Sequence, residues 1–246
     1  RRPSHFVGGD PHDTPMPMDY YVWLVRNEER MLLVDTGFDV DMIQNGRVLL
    51  RKPVDALKLI GVKGEDIREA VITHLHNDHV GTFYDFPNAR FHLQDKEMQF
   101  ATGRHMKHEI FRRPFFIDHV AGMIRLVYQD RVIFHNGDED IAPGISVHFI
   151  GGHTMGLQSV RVHTKRGWVV LASDASHYYE HFEQHRAFPL VYHLGEMIEG
   201  FAKLKSLAPS LKHIVPGHDP LVLQRYPAAS NELKGIVARL DLEPTY

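Results

Sequence analysis

The apolar positions of this chain fall into short runs broken by turns, not into long amphipathic stretches. Tyr20–Val25 and Met31–Val34 are rich in β-formers and flank Asn27, Glu28 and Glu29, which predicts two strands joined by a turn. Val54, Leu57, Lys58 and Ile60 follow a short helical spacing that Gly61 closes. Ala70–Thr73 and Phe91–Leu93 read as buried strands, and a helix is expected over Asp95–Ala101. Further strands are expected at Val132–Phe134, Ile145–Ile150, Gln158–His163, Trp168–Ala172 and His213–Val215. The clearest helix is Leu194–Leu207, where Leu194, Met197, Ile198, Phe201 and Leu204 share one face. From Thr102 to Asp130 the pattern mixes Gly103, Arg112, Arg113, Pro114, Phe115 and Phe116, and predicts helical and loop segments packed over a site. No linker, repeat or low-complexity tract divides the chain, so one domain of mixed strands and helices is expected over 1–246.

Composition narrows the class. Apolar residues at 43% and charged residues at 24% exclude a disordered chain. No apolar run reaches the roughly 18 to 20 residues of a membrane span, so no membrane partner is expected. The net charge of −3 makes nucleic acid an unexpected partner. Cysteine is absent, which excludes disulfides, thiolate metal sites and cysteine nucleophiles. That absence, with no Asn-x-Ser/Thr acceptor, fits a cytoplasmic chain. Arg1–Pro17 lacks the apolar core of a signal peptide, although the missing initiator Met leaves a removed leader open. The 19 histidines stand out, because histidine is the commonest metal ligand.

Position gives those histidines meaning. Thr73–Gly81 holds His74, His76, Asp78 and His79 in a His-x-His-x-Asp-His string directly after a strand. Alternate residues leaving a strand point the same way, so His74 and His76 can share one metal, and Asp78 and His79 can face a second. Imidazole and carboxylate suit zinc, manganese, iron and cobalt. A two-metal site needs more ligands, one of them bridging. His153 in Gly151-Gly152-His153-Thr154, Asp174 in Ser173-Asp174-Ala175 and His218 in Pro216-Gly217-His218-Asp219 each follow an expected strand. Gly-x-Ser-x-Gly, P-loop and Gly-x-Gly-x-x-Gly signals are all missing. The other histidines lack such context and read as structural or solvated.

In the order and setting of these motifs the chain resembles the metallo-β-lactamase superfamily along essentially its whole length. Asp35-Thr36-Gly37 resembles the early Asp-Thr-Gly turn of that family. The resemblance implies an α/β fold, an αβ/βα four-layer sandwich, with two divalent ions at one sheet edge. Zn2+ is the expected metal, with Fe, Mn or Co as alternatives. It implies His74, His76 and His153 on the first ion, Asp78, His79 and His218 on the second, and Asp174 bridging. Asp35 would be buried and orient ligands. A hydroxide shared by the metals would attack a substrate carbonyl, with Asp78 also orienting it.

Gly152-His153-Thr154-Met155-Gly156-Leu157, Ser173-Asp174-Ala175-Ser176 with Phe182, and Gly217-His218-Asp219 further resemble N-acyl homoserine lactonases. So does the helix carrying Glu97, Phe100, Ala101, Thr102 and Gly103. A small-molecule lactone is thus the expected substrate, and a homodimer is left open. Those lactonases carry a Tyr three residues after the bridging Asp, where this chain has His177, followed by Tyr178. His177 or Tyr178 is therefore the expected donor to the lactone carbonyl. Phe111, Phe115, Phe116, Ile117 and Met123 are candidates to wall an acyl-chain groove, with ordinary core residues under a loop as the alternative for each. A thioesterase or β-lactamase on the same ligands is the alternative hydrolase. The 28 residues after His218 hold few basic side chains, which disfavours the thioesterase. A diiron redox protein is disfavoured because His76 stands where such sites carry an acid.

Overall fold

The structure is a computed structural model, and it describes residues 1–40, 43 and 46–245. They form two compact units, one of residues 21–136 and one of residues 1–20 with 137–246.

In the stretch 21–136 the order is β1 (Trp23–Arg26), β2 (Met31–Val34), α1 (Pro53–Lys58), β3 (Glu69–Val71), α2 (Asn77–Val80), β4 (Arg90–Gln94), α3 (Asp95–Ala101), α4 (Glu109–Arg112), α5 (Ile117–Val127) and β5 (Val132–His135). The five strands lie side by side in chain order, β1 antiparallel to β2 and the rest parallel. Asn27 closes the hairpin, its side-chain oxygen accepting the N–H groups of Glu29 (3.0 Å) and Arg30 (2.7 Å). Parallel pairing demands crossovers, which the helical segments between the later strands supply. Leu33, Ile72, Phe86, Phe91 and Leu93 pack with Val120, Met123 and Leu126 of α5. Met123 is thus a core residue, the alternative reading for it, and Ile117 is 81% exposed. Phe115 packs half-buried against the same core.

The other unit holds β6 (Glu139–Ala142), β7 (Ile145–Phe149), β8 (Gln158–Thr164), β9 (Gly167–Ser173), α6 (Tyr179–Gln184), α7 (Leu194–Leu207), β10 (Ile214–Pro216) and α8 (Leu221–Arg225). Its sheet runs β10-β9-β8-β7-β6, parallel at β10–β9 and antiparallel elsewhere. Strands β7, β9 and β10 therefore point one way, and their C-terminal ends share one sheet edge. Strands β2 and β3 likewise end together in the first sheet. Loops at the C-terminal ends of such strands are where α/β sheets place ligand chemistry.

Helix α7 spans the expected residues, burying Met197, Gly200, Phe201 and Leu204 while Leu194 lies exposed at its start. Strand β6 was not expected, because Glu139 and Asp140 are poor strand formers; pairing with β7 holds it at the sheet edge. Among the described residues no helix is long and apolar enough to cross a membrane.

Candidate metal centre

In the unit 21–136 the donors are built around one buried carboxylate. Strand β2 is followed at once by Asp35, which takes the left-handed backbone (φ 60°) that few non-glycine residues adopt. Its Oδ1 accepts the Thr73 N–H (2.8 Å), and its Oδ2 accepts the Thr73 hydroxyl (2.9 Å) and His79 Nδ1–H (2.8 Å). His74 Nδ1 lies 3.1 Å from that same Thr73 hydroxyl oxygen. The hydroxyl has given its proton to Asp35, so its oxygen accepts from His74. His74 and His79 thus carry their protons on Nδ1 and keep Nε2 as a lone-pair donor. The His74 ring lies 4.5 Å from that of His76 and 4.1 Å from that of His79, and His79 Nε2 is 3.8 Å from Asp78.

His76 immediately precedes α2, and its ring meets that of Phe115 edge to face, ring centres 4.7 Å apart. The backbone on either side of it is tied down. Leu75 N–H donates to Glu97, a buried carboxylate on α3 (2.9 Å), and Asn77 N–H donates to the Pro114 carbonyl (2.8 Å). The sequence showed Glu97 only as part of a helix that resembles a lactonase segment, and Thr73 only as a strand residue. An acid on an otherwise buried helix face was the available signal for Glu97.

In the other unit three loops leave one sheet edge. The loop after β7 turns at Gly151 and Gly152, both left-handed. The Gly152 carbonyl accepts the Tyr192 and His193 N–H groups (2.8 Å each), which pins the loop to the start of α7. A Cβ at Gly152 would sit 2.5 Å from the Met197 nitrogen, so only glycine allows this approach. The loop after β9 turns at Ser173 (φ 48°), and Asp174 follows. The loop after β10 is laced to it, Gly217 N–H donating to Ser176 (2.9 Å) and His218 N–H to His177 (3.0 Å).

These loops gather three imidazoles on Asp174. His153 Nε2 lies 3.1 Å and His177 Nε2 2.9 Å from its Oδ2, and His218 Nε2 lies 2.9 Å from its Oδ1. His153 Nδ1 donates to the Leu190 carbonyl (2.7 Å) and His218 Nδ1 to the Asp19 carbonyl (2.7 Å). A carbonyl only accepts, so in the neutral rings the proton is on Nδ1 and the Nε2 lone pair faces a carboxylate oxygen. Two lone pairs at such range repel unless a cation lies between them. The donor set of buried imidazole nitrogen and carboxylate oxygen fits a divalent metal ion such as zinc. Asp174, His177 and His218 form a buried group whose donor atoms all lie within 4.8 Å of one another.

His177 is buried and stacked on Phe188, ring centres 3.8 Å apart. Burial pushes its pKa down to about 4, outweighing the pull of Asp174 the other way. The ring is neutral near pH 7 and has one proton, which the Asp174 contact takes at Nε2, leaving Nδ1 an acceptor. Burial raises the Tyr178 hydroxyl above its ordinary pKa, and that hydroxyl donates to the Pro17 carbonyl at 3.2 Å.

Ser146, His148 and Asp138 form a separate chain of contacts, Ser146 Oγ to His148 Nε2 (2.9 Å) and His148 Nδ1 to Asp138 (2.9 Å). It has the connectivity of a nucleophile triad, but Ser146 is 4% exposed, closed to a substrate. Asp138 also binds Lys203 of α7 (2.6 Å), so the chain ties β7 to that helix.

The sequence model of the metallo-beta-lactamase superfamily matches residues 16–230, and the chain belongs to that superfamily. Its fold, two mixed sheets with helices, is the metallo-beta-lactamase fold, and it is a hydrolase of this class. More particularly, it is similar to an N-acyl homoserine lactonase of a Bacillus species, 30% identical over 189 residues and 70% of each chain. The N-acyl homoserine lactonase of Bacillus cereus is 29% identical over 184 residues, 68% of each chain. A solved quorum-quenching N-acyl homoserine lactone lactonase superposes with a TM-score of 0.68 at 25% identity, over 82% of this chain and 80% of the other. AidC, a dizinc quorum-quenching lactonase, superposes with a TM-score of 0.64 at 20% identity, over 82% of this chain and 73% of its own.

Proposed function

We propose that the two donor clusters serve one dimetal centre and that the chain opens lactone rings, with N-acyl homoserine lactones as its substrate class. In this reading His74, His76 and His153 would hold one ion and Asp78, His79 and His218 the other, with Asp174 shared between them. The two units then act as one hydrolase domain over 1–246. The observation that carries the reading is the facing of the His153 and His218 lone pairs against the Asp174 carboxylate. The substrate class is supported by the relatives, several of which are named N-acyl homoserine lactonase.

Two divalent ions held there, zinc in this reading, would supply polarisation of the carbonyl and acidification of water. The chain does the rest. Asp35 and Thr73 keep the His74 and His79 lone pairs presented. The Leu190 and Asp19 carbonyls do the same for His153 and His218. Asp78 orients the attacking water. His177 is a positioning residue that holds Asp174, and its neutrality adds no positive charge beside the cations. Tyr178 anchors the N-terminal segment. Phe115, edge-on to His76 and 5.8 Å from the Phe100 ring, offers apolar surface suited to an acyl chain.

The test is metal analysis of the purified protein, followed by ring opening of an acyl homoserine lactone series read through acid release, beside a chelator-stripped control. The expected result is two ions per chain and metal-dependent turnover with kcat/KM above about 10⁴ M⁻¹s⁻¹. Two ions without turnover would keep the hydrolase and discard this substrate. One ion or none would overturn the dimetal reading.

A further inference from the structure

Residues 1–20 carry no periodic apolar face, so the segment has little of its own to hold it in place. Here the segment is held at both ends against the elements that follow Asp174 and His218. At its C-terminal end Asp19 brackets His218 twice, its N–H donating to the His218 carbonyl (2.9 Å) and its own carbonyl accepting from His218 Nδ1 (2.7 Å). The Tyr20 ring stands edge-on to the His218 ring at 5.1 Å. In the middle the Tyr178 hydroxyl donates to Pro17, and His181 Nε2 donates to the His5 carbonyl (3.1 Å).

At the N-terminal end four charges close a ring. Arg2 pairs with Glu180 and with Asp10 (3.0 Å), and Arg186 pairs with Glu180 (2.6 Å) and Asp10 (2.8 Å). Both guanidinium groups lie over the Phe6 ring, Arg186 at 3.6 Å and Arg2 at 5.0 Å from its centre. Phe6 is buried beneath them and meets the His181 edge at 5.2 Å. An isolated surface ion pair contributes little, but a closed network of guanidinium–carboxylate pairs over an aromatic ring fixes geometry as well as charge. Burial opposes ionisation of Asp10 and Glu180, yet the hydrogen bonds that they accept hold both carboxyls below the usual range.

We infer that residues 1–20 are a positioning strap for His218, latched by Arg2, Asp10, Glu180 and Arg186 around Phe6, and that the latch sets the affinity of the metal position to which His218 contributes. The inference rests on the dimetal reading above. With the strap seated, the Asp19 carbonyl fixes both the ring plane and the tautomer of His218, so Nε2 is a ready ligand. With the strap released, the ring gains rotational freedom and either nitrogen can carry the proton. Losing a hydrogen-bond partner that orients a metal-binding histidine typically costs 10- to 100-fold in metal affinity.

The experiment is cobalt(II) titration of the metal-free full chain, read by visible absorption, with hydrogen exchange measured across residues 1–20. The wild type is expected to take two equivalents. Arg186→Met keeps the side-chain stem over Phe6 and removes both ion pairs. It is expected to raise exchange in the strap and to weaken one equivalent about 10- to 100-fold, leaving the other at wild-type affinity. Arg186→Lys is expected to recover part of the loss. If Arg186→Met does not fold, Glu180→Gln opens one side of the ring and is read the same way. A strap that exchanges freely while both equivalents keep wild-type affinity would overturn the inference, as would a variant whose strap stays protected. A wild type that takes fewer than two equivalents would overturn the dimetal reading itself, which separates the two failures.

Discussion

In the stretch 21–136, His74 and His79 are oriented by a side chain: Asp35 accepts from His79 directly and from His74 through Thr73. In the other unit, His153 and His218 are oriented by main-chain carbonyls, those of Leu190 and Asp19. The two anchors do the same work on an imidazole, since each fixes the proton on Nδ1 and leaves the lone pair on Nε2. Their vulnerabilities differ. A side-chain anchor is lost by one substitution that leaves the backbone in place. A carbonyl anchor survives most substitutions at its own residue and is lost when the backbone moves.

The largest effect should come from the side-chain anchor. Asp35→Asn removes the acceptor charge on which the His74 and His79 rings depend for their orientation. Metal affinity measured by competition with a chromogenic chelator should fall about 10- to 100-fold, with Thr73→Val, which leaves the direct Asp35–His79 bond in place, at the lower end. Equal losses from the two variants would break the idea of a shared relay. Next comes a backbone test in the other unit. Gly152→Ala would press a methyl group into the Met197 nitrogen at a left-handed position, and urea unfolding should show a loss of about 1 to 3 kcal/mol. Wild-type stability would mean that the loop carrying His153 is not held by this approach.

A smaller effect is expected from acid. His181 is buried, and burial, helped by the neighbouring His177, lowers its pKa from the usual 6.5. Its folded pKa lies below its unfolded one, so below pH 6.5 the unfolded chain binds the extra proton and stability falls as pH falls. Between about pH 7.5 and 5.5 this one group should cost about 1.4 kcal/mol, since one pH unit below the unfolded value corresponds to that energy. His181→Gln, which keeps a donor for the His5 carbonyl, should flatten that part of the profile. An unchanged pH slope would remove His181 from the account. The smallest effect tests the carbonyl anchor. Leu190→Ala should alter metal affinity and turnover by less than about twofold, because its contribution is a backbone oxygen. A tenfold loss would show that the side chain matters and would erase the contrast.

The same contrast explains what could be read from the sequence. Asp35 was legible as an orienting residue because a side-chain anchor leaves a residue type at a motif position. The Leu190 and Asp19 carbonyls left no trace, since any residue supplies one. Leu194–Leu207 was legible because its buried face repeats at helical spacing over several turns. The short helices Asn77–Val80 and Tyr179–Gln184 were not, because tertiary contacts stabilise a turn or two of helix that propensity cannot. Strand β6 was hidden by its acidic residues. The pairing of Arg2 with Glu180 joins positions too distant in the chain for any local pattern to connect them. His177 was legible as a departure from the lactonase pattern, but its hold on Asp174 emerged only from the loop geometry.

The division of the chain also has a consequence for its making. Residues 21–136 form an unbroken stretch, whereas the unit holding His153, Asp174 and His218 is assembled from the two ends of the sequence. During synthesis the first twenty residues leave the ribosome before anything they bind exists. The stretch 21–136 can collapse as soon as it emerges, because domains fold as units while the chain grows. The strap must wait through all of that for Glu180, Arg186 and His218. The strap is therefore made before residues 21–136 yet is among the last of these segments to find its place, and its unit stays open until His218 has been made.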